Sequence, residues 1–219
     1  EGFELDYAKV GRKLLTRLLD SVGDNYLVEP LLKLIYPCLN NTQDWRYPYA
    51  ALMTLSEINQ YISESSKIAE QVSIMEQGIA SAHPKIRYAT FHLIGQVCED
   101  HIRDFQSAHK DRVVPLLQKG LNDSVPRVAG YACAALTNFM EGTDQGTAAQ
   151  CTEVFFPKIL EFLSTPQPSI LIEHSCTALA SIAHACKQNF REKYSTVMPY
   201  LGSIVQKYTG DTYKTLRGR

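Results

Sequence analysis

Apolar residues recur along this chain at three- and four-residue intervals, broken by short polar turns that fall at a regular distance from one another. That interval puts apolar side chains on one face of a helix. Residues 105–142 show the pattern most plainly. A helical run carrying a proline (Val113-Val114-Pro115-Leu116-Leu117) stops at Asn122-Asp123-Ser124, and a second helix of smaller residues starts at Pro126-Arg127-Val128 and reaches Phe139. The rest reads as copies of this two-helix unit of about 40 residues. Residues 5–22 predict an amphipathic helix with Val10, Leu14, Leu15, Leu18 and Val22 as its core stripe, ended by Gly23-Asp24-Asn25. A helix over 26–39 (Leu27, Leu31, Leu32, Ile35, Leu39) then pairs with one over 45–62, whose Pro48 lies in the first turn, where a missing N–H costs little. Further pairs are expected near 65–80 with 84–100, and 147–163 with 169–186; a helix over 190–208 follows, and the start of another. The units are therefore drawn as 1–24 (partial), 25–63, 64–103, 104–145, 146–188 and 189–219 (partial), an array expected to be truncated at both ends.

Two independent markers keep one period. Tyr47, Ile86, Val128, Leu171 and Leu216 are 39, 42, 43 and 45 residues apart, and the same offset carried along each second helix gives one face. That face reads Tyr47/Ala51/Leu55/Ile58, Ile86/Thr90/Ile94/Val97, Val128/Ala132/Leu136/Phe139 and Leu171/Ser175/Leu179/Ile182. In the first helices Pro115, Pro157 and Pro199 stand 42 apart and Pro30 stands 85 before Pro115, with Ser73 at that place in the remaining helix. An interior proline bends a helix, and a bend repeated at one place suits helices wrapped around a curved stack. One such pair cannot bury its apolar faces alone, so the pairs must stack. The fold class predicted is all-α, a right-handed α-α superhelix of the HEAT-repeat kind with about five helix pairs.

Away from the stripe, the second helices carry Met53/Ser56/Glu57/Gln60, His92/Gly95/Gln96/Glu99, Ala134/Thr137/Asn138/Glu141 and Thr177/Ala180/Ser181/His184, mostly small and polar. Glu57, Gln96, Asn138 and Ser181 are expected to form a ladder, with Glu99 and Glu141 one turn further. One helix layer of a curved solenoid lines its concave side, the usual binding surface. Carboxylates there attract Lys and Arg, and amides can bond a peptide main chain. Glu57, Gln96, Glu99, Asn138 and Glu141 are thus candidate residues for holding an extended basic peptide; a solvated face without a particular partner is the other reading.

Composition narrows the classes. A hydrophobic fraction of 45% supplies a continuous core, and a net charge of -1 gives no reason to expect nucleic acid or an anionic membrane as partner. No apolar run reaches the roughly 18 residues of a membrane span, and no secretory leader pattern occurs in these residues. The six cysteines (Cys38, Cys98, Cys133, Cys151, Cys176, Cys186) form no CxxC pair and sit mostly among Ala, Leu and Ile, so the chain reads as reduced and intracellular. His83, His92, His101, His109, His174 and His184 make no HExxH or four-ligand spacing. No GxSxG, GxGxxG or P-loop pattern appears, and the glycines at 142 and 146 lack a preceding strand and a following Lys. Neither an enzyme nor a metal or cofactor is expected. Tyr and Phe at helical spacing read as core packing or groove lining rather than base stacking, since no Lys/Arg stripe accompanies them.

Residues 44–58 (DWRYPYAALMTLSEI), 83–97 (HPKIRYATFHLIGQV) and 125–139 (VPRVAGYACAALTNF) resemble successive HEAT repeats of the importin-beta superfamily of nuclear transport receptors. Their order is most similar to the middle repeats of its karyopherin beta-3 branch, and 179–190 (LASIAHACKQNF) and 213–218 (YKTLRG) continue it. Pro48 departs from the arginine usual after the turn, Ala129 with Gly130 softens one helix start, and the loop 142–150 differs. The resemblance implies a monomeric receptor segment that holds cargo proteins with basic, lysine-rich import signals on its concave face. It implies contact with Phe-Gly nucleoporins, cargo release by the GTP form of Ran (bound mainly by repeats outside these residues), and shuttling between cytoplasm and nucleus. A HEAT scaffold that assembles other proteins, as a phosphatase regulatory subunit does, is the alternative.

Overall fold

The computed structural model describes residues 7–207, and all the regular structure among them is helical. Ten α-helices follow one another: α1 (Tyr7–Val22), α2 (Asp24–Leu39), α3 (Arg46–Ile58), α4 (Ser65–Ile79), α5 (Pro84–Asp100), α6 (Asp104–Leu121), α7 (Pro126–Glu141), α8 (Gln145–Ser164), α9 (Ser169–Cys186) and α10 (Arg191–Lys207). Short 3-10 turns extend α3 and α9 at Asn59–Tyr61 and Lys187–Phe190. Local chemistry sets the starts. Pro84 and Pro126 open α5 and α7, where the proline ring fixes a helical φ. Asp144 caps α8 by accepting from the Gly146 and Thr147 N–H groups at 2.9 and 3.0 Å.

The prolines predicted inside the first helices are there, in α2, α6, α8 and α10, and none ends its helix. Pro30, Pro115, Pro157 and Pro199 are all exposed. A helix curving around a core is convex toward solvent, and its hydrogen bonds are longest on that side. The proline therefore removes a bond where the ladder is already weakest.

The helices form two layers. The second helices α3, α5, α7 and α9 pack side by side over much of their length, whereas α4, α6, α8 and α10 touch one another sparingly. A curved double layer has its shorter arc where neighbours are closest, so the second helices line the inside of the bend. Small residues permit this approach. A Cβ built on Gly95 would lie 3.4 Å from the Ala135 Cα, and one on Gly130 3.4 Å from the His174 ring. Between the layers runs a continuous core, with Phe91, Phe105, Phe139 and Phe155 fully buried in it. Buried Gln106 joins three segments across it: its Oε1 accepts from Arg103 N at 2.8 Å, and its Nε2 donates to Cys98 O at 3.1 Å and Asn138 O at 3.4 Å. A Cβ on Gly142 would overlap that carboxamide, which accounts for a glycine there.

The predicted stripe is buried at Ala51, Leu55 and Ile58, at Thr90, Ile94 and Val97, at Val128, Ala132, Leu136 and Phe139, and at Leu171, Ser175, Leu179 and Ile182. Two expectations fail. Tyr47 is exposed, because α3 starts at Arg46 and makes Tyr47 its second residue, while Ile86, Val128 and Leu171 are the third of theirs. Pro48, the third residue of α3, takes the buried place. On α1, Val10, Leu14, Leu18 and Val22 are exposed and Leu15 is half-buried. Among the described residues α1 has neighbours on one side only, and it meets them through Leu19 and Leu15. The expected second helix after residue 210, with Leu216, lies outside the described residues.

Candidate inner-wall binding surface

Burial on the second helices extends further round than one stripe. Met53, Ser56, Gly95 and Thr137, expected on the polar side, are buried because each second helix is flanked by others. What remains accessible is a narrow ridge along each helix. On α5 it reads Tyr88, His92, Gln96, Glu99; on α7, Tyr131, Ala134, Asn138, Glu141; on α9, His174, Thr177, Ser181, His184. On α3 the corresponding residues are Tyr49, Glu57 and Gln60. Side by side, these ridges give the inner wall parallel rows: an aromatic row at one margin, small or polar residues in the middle, then Glu57/Gln96/Asn138/Ser181, and Gln60/Glu99/Glu141/His184 at the other margin.

The third row is wired into the wall. Arg12 of α1 donates through Nη1 to Glu57 Oε1 at 3.2 Å, and the same nitrogen stands 3.5 Å from His92 Nε2. Gln96 donates to Asp100 Oδ1 at 2.9 Å; Asn59 donates to Asp100 Oδ2 at 2.9 Å and accepts from Gln71 at 2.9 Å. Asn138 donates from α7 to the Gly95 carbonyl of α5 at 3.0 Å. The amides of Gln96 and Asn138 are engaged within α5 and between α7 and α5, so much of the capacity expected for a peptide main chain is already used. The fourth row differs. Glu99 and Glu141 are exposed, and neither forms an ion pair among the described residues. They are the accessible negative charge of the wall.

The aromatic row is knit together by ring contacts. The Tyr88 and Tyr131 centroids are 4.2 Å apart, Tyr131 and His174 5.5 Å, and Tyr131 and His92 6.4 Å. Burial first, then the hydrogen bond with Tyr131, pushes the Tyr88 phenol well above its usual range, so it stays neutral. His92 is held below its usual value by burial and by the Arg12 cation, and is neutral at pH 7. Elsewhere, burial pushes the thiols of Cys98, Cys133, Cys151 and Cys176 upward, which makes them packing groups rather than nucleophiles.

No protein-family model matches the chain. It is 28% identical over 214 residues, 95% of its own length, to importin subunit beta-3 of Saccharomyces cerevisiae, and spans 19% of that protein. Among solved structures it matches Kap121p bound to Pho4p with a TM-score of 0.85 and Kap121p bound to Nup53p with 0.84. Both matches are 26% identical and cover 94% of this chain and 20% of the other.

The chain resembles the importin-beta superfamily over nearly its whole length.

Its two-layer stack is accordingly the right-handed α-α superhelix of HEAT repeats. In this importin-beta-like array the sequence marked the acid row and the third row, but not the aromatic one. Tyr49, Tyr88, Tyr131 and His174 are 39, 43 and 43 residues apart, within one residue of the period already in hand, and that spacing was the signal for them. Arg12, which occupies Glu57, carried no such signal, because it reaches that residue from another helix; Asp100 stands four residues after Gln96 on the same helix, and that i, i+4 spacing was the signal for it.

Proposed function

We propose that this array is a cargo-binding segment of a nuclear import receptor, and that its inner wall holds a basic, lysine-rich import signal. The observation that carries the reading is the pair Glu99 and Glu141: exposed carboxylates, one period apart, without cationic partners among the described residues, on the inner layer of a fold similar to a karyopherin solved with other proteins bound. Glu99 and Glu141 supply the charge. Glu57, Gln96 and Asn138 shape the row beside them, and Glu57 becomes available when a guest cation displaces Arg12. The receptor would meet Phe-Gly nucleoporins, give up its cargo to the GTP form of Ran bound by other repeats, and shuttle between cytoplasm and nucleus. Support for an import role comes from the likeness to importin subunit beta-3, of which the segment spans about a fifth.

The test is calorimetric titration of a lysine-rich peptide into the wild type and a Glu99→Lys/Glu141→Lys variant. Unit charges about 4 Å apart near a protein surface interact by roughly 1–4 kcal/mol, so the reversal is expected to weaken binding at least about tenfold, and added salt to weaken the wild type. Equal affinity in the two proteins would remove these residues from the site.

A further inference from the structure

We propose that the aromatic row, Tyr49, Tyr88, Tyr131 and His174, reads arginine, so that the guest segment alternates along its length between arginine facing the rings and lysine facing the carboxylates. The proposal rests on the reading of the inner wall as the seat of a basic segment, and names the pattern that segment carries.

The dimensions come first. Tyr131 and Glu141 are ten residues apart on α7, about 15 Å along the axis at 1.5 Å per residue; Tyr88 and Glu99 on α5 are similarly placed. An extended strand crossing the helices midway lies about 7 Å from each margin, a gap that a long cationic side chain spans. Successive side chains of such a strand point to opposite sides, one parity to the rings and the other to Glu99 and Glu141. Between the margins the wall is low, with Ala134 and Thr177 leaving room for a main chain.

The chemistry of the aromatic margin is already displayed. The Arg127 guanidinium lies 5.4 Å from the Tyr88 ring centroid. Arg127 is exposed, and among the described residues it forms no ion pair, so the ring is the group that holds it. Tyr49, Tyr88, Tyr131 and His174 are half-buried, which fixes the rings and leaves part of each open. A planar, weakly hydrated guanidinium stacks on such a surface better than a compact, strongly hydrated ammonium. The opposite margin, with carboxylates, takes either cation. The aromatic margin alone therefore discriminates, favouring arginine at alternate positions of the guest and leaving lysine sufficient at the others.

Two peptides of equal length and equal charge test this, one alternating lysine and arginine, the other all lysine. The wild type is expected to bind the alternating peptide about fivefold tighter, roughly 1 kcal/mol. A Tyr88→Leu/Tyr131→Leu variant should lose that preference, and a Tyr88→Phe/Tyr131→Phe variant, which keeps the rings, should retain it. Equal binding of both peptides by the wild type overturns the arginine-reading row and leaves the basic-guest reading standing. A preference that persists in a folded leucine variant overturns the row as well. Failure of the wild type to bind either peptide overturns both.

Discussion

Arg87 offers the sharpest check on how neighbouring pairs are joined. Its guanidinium donates from Nε to Asp123 Oδ2 at 2.6 Å and from Nη2 to Oδ1 at 3.0 Å, while Nη1 donates to the Ser81 and Ala82 carbonyls at 3.0 and 2.9 Å. One side chain thus ties the turn before α5 to the turn before α7, where Asp123 also accepts from Val125 N at 2.9 Å. The two side chains are only 16% and 9% exposed. Breaking a fully buried pair costs about 3–5 kcal/mol. Some water reaches this one and Asp123 keeps its backbone bond, so Arg87→Ala is expected to cost about 2–3 kcal/mol. Arg87→Lys, which keeps the charge but loses the fork, should fall between. The loss can be read in urea by far-ultraviolet circular dichroism and by the fluorescence of Trp45, the single tryptophan, whose ring stacks on His83 at 4.5 Å beside this turn. Acid supplies the second test. Burial pushes the Asp123 carboxyl up, but the Arg87 hydrogen bonds, the Val125 N–H and the Arg87 charge outweigh it and hold the group below its ordinary range. A depressed folded pKa contributes stability above the unfolded value, about 3.9, and loses it as pH falls through the folded one. The deficit of Arg87→Ala should therefore shrink below about pH 4. A cost under about 0.5 kcal/mol at pH 7, or a deficit unchanged in acid, would refute the assignment of this pair as the link between turns.

Two further outcomes are expected. Leu136→Ala, at a fully buried site in the middle of α7, should cost about 2–5 kcal/mol in a urea melt; a loss under about 1 kcal/mol would mean that the stripe is not core. His92, flanked by Arg12, Glu57 and Tyr131, is kept neutral in the fold by burial and by Arg12. The unfolded chain takes up the proton first as pH drops below about 6.5, so stability should fall there. His92→Gln should flatten that slope between about pH 6.5 and 5, and an identical slope in the variant would clear His92 of the effect.

The helix pairs and the core stripe were legible because each depends on the period of a single helix. Pro30, Pro115, Pro157 and Pro199 announced the outer layer, and Ile94, Leu136 and Leu179 the core, without reference to any neighbour. What depends on neighbours was misread or missed. The stripe of α1 looked like core, yet Val10, Leu14, Leu18 and Val22 are exposed, since burial needs a partner surface that periodicity cannot supply. One residue of difference in where α3 starts moved Tyr47 outside and Pro48 inside. Glu57 and Asn138 were read as available, but their bonds to Arg12 and the Gly95 carbonyl arise only once the helices lie together, whereas the Gln96–Asp100 bond is an i, i+4 pair within α5 that the spacing already contained. Glu99 and Glu141 are exposed as expected, because accessibility of a carboxylate at a helix end depends on the surroundings of its own helix alone.

The close approach allowed by Gly95 and Gly130 has a mechanical corollary. The inner helices are joined like pages at the spine of a book, while the outer helices are the loose edges. When such an array coils tighter or relaxes, the loose edges fan or close and the spine scarcely lengthens. The interval between Glu99 and Glu141 then stays nearly constant, a ruler whose gradations survive the flexing of the arm that carries it.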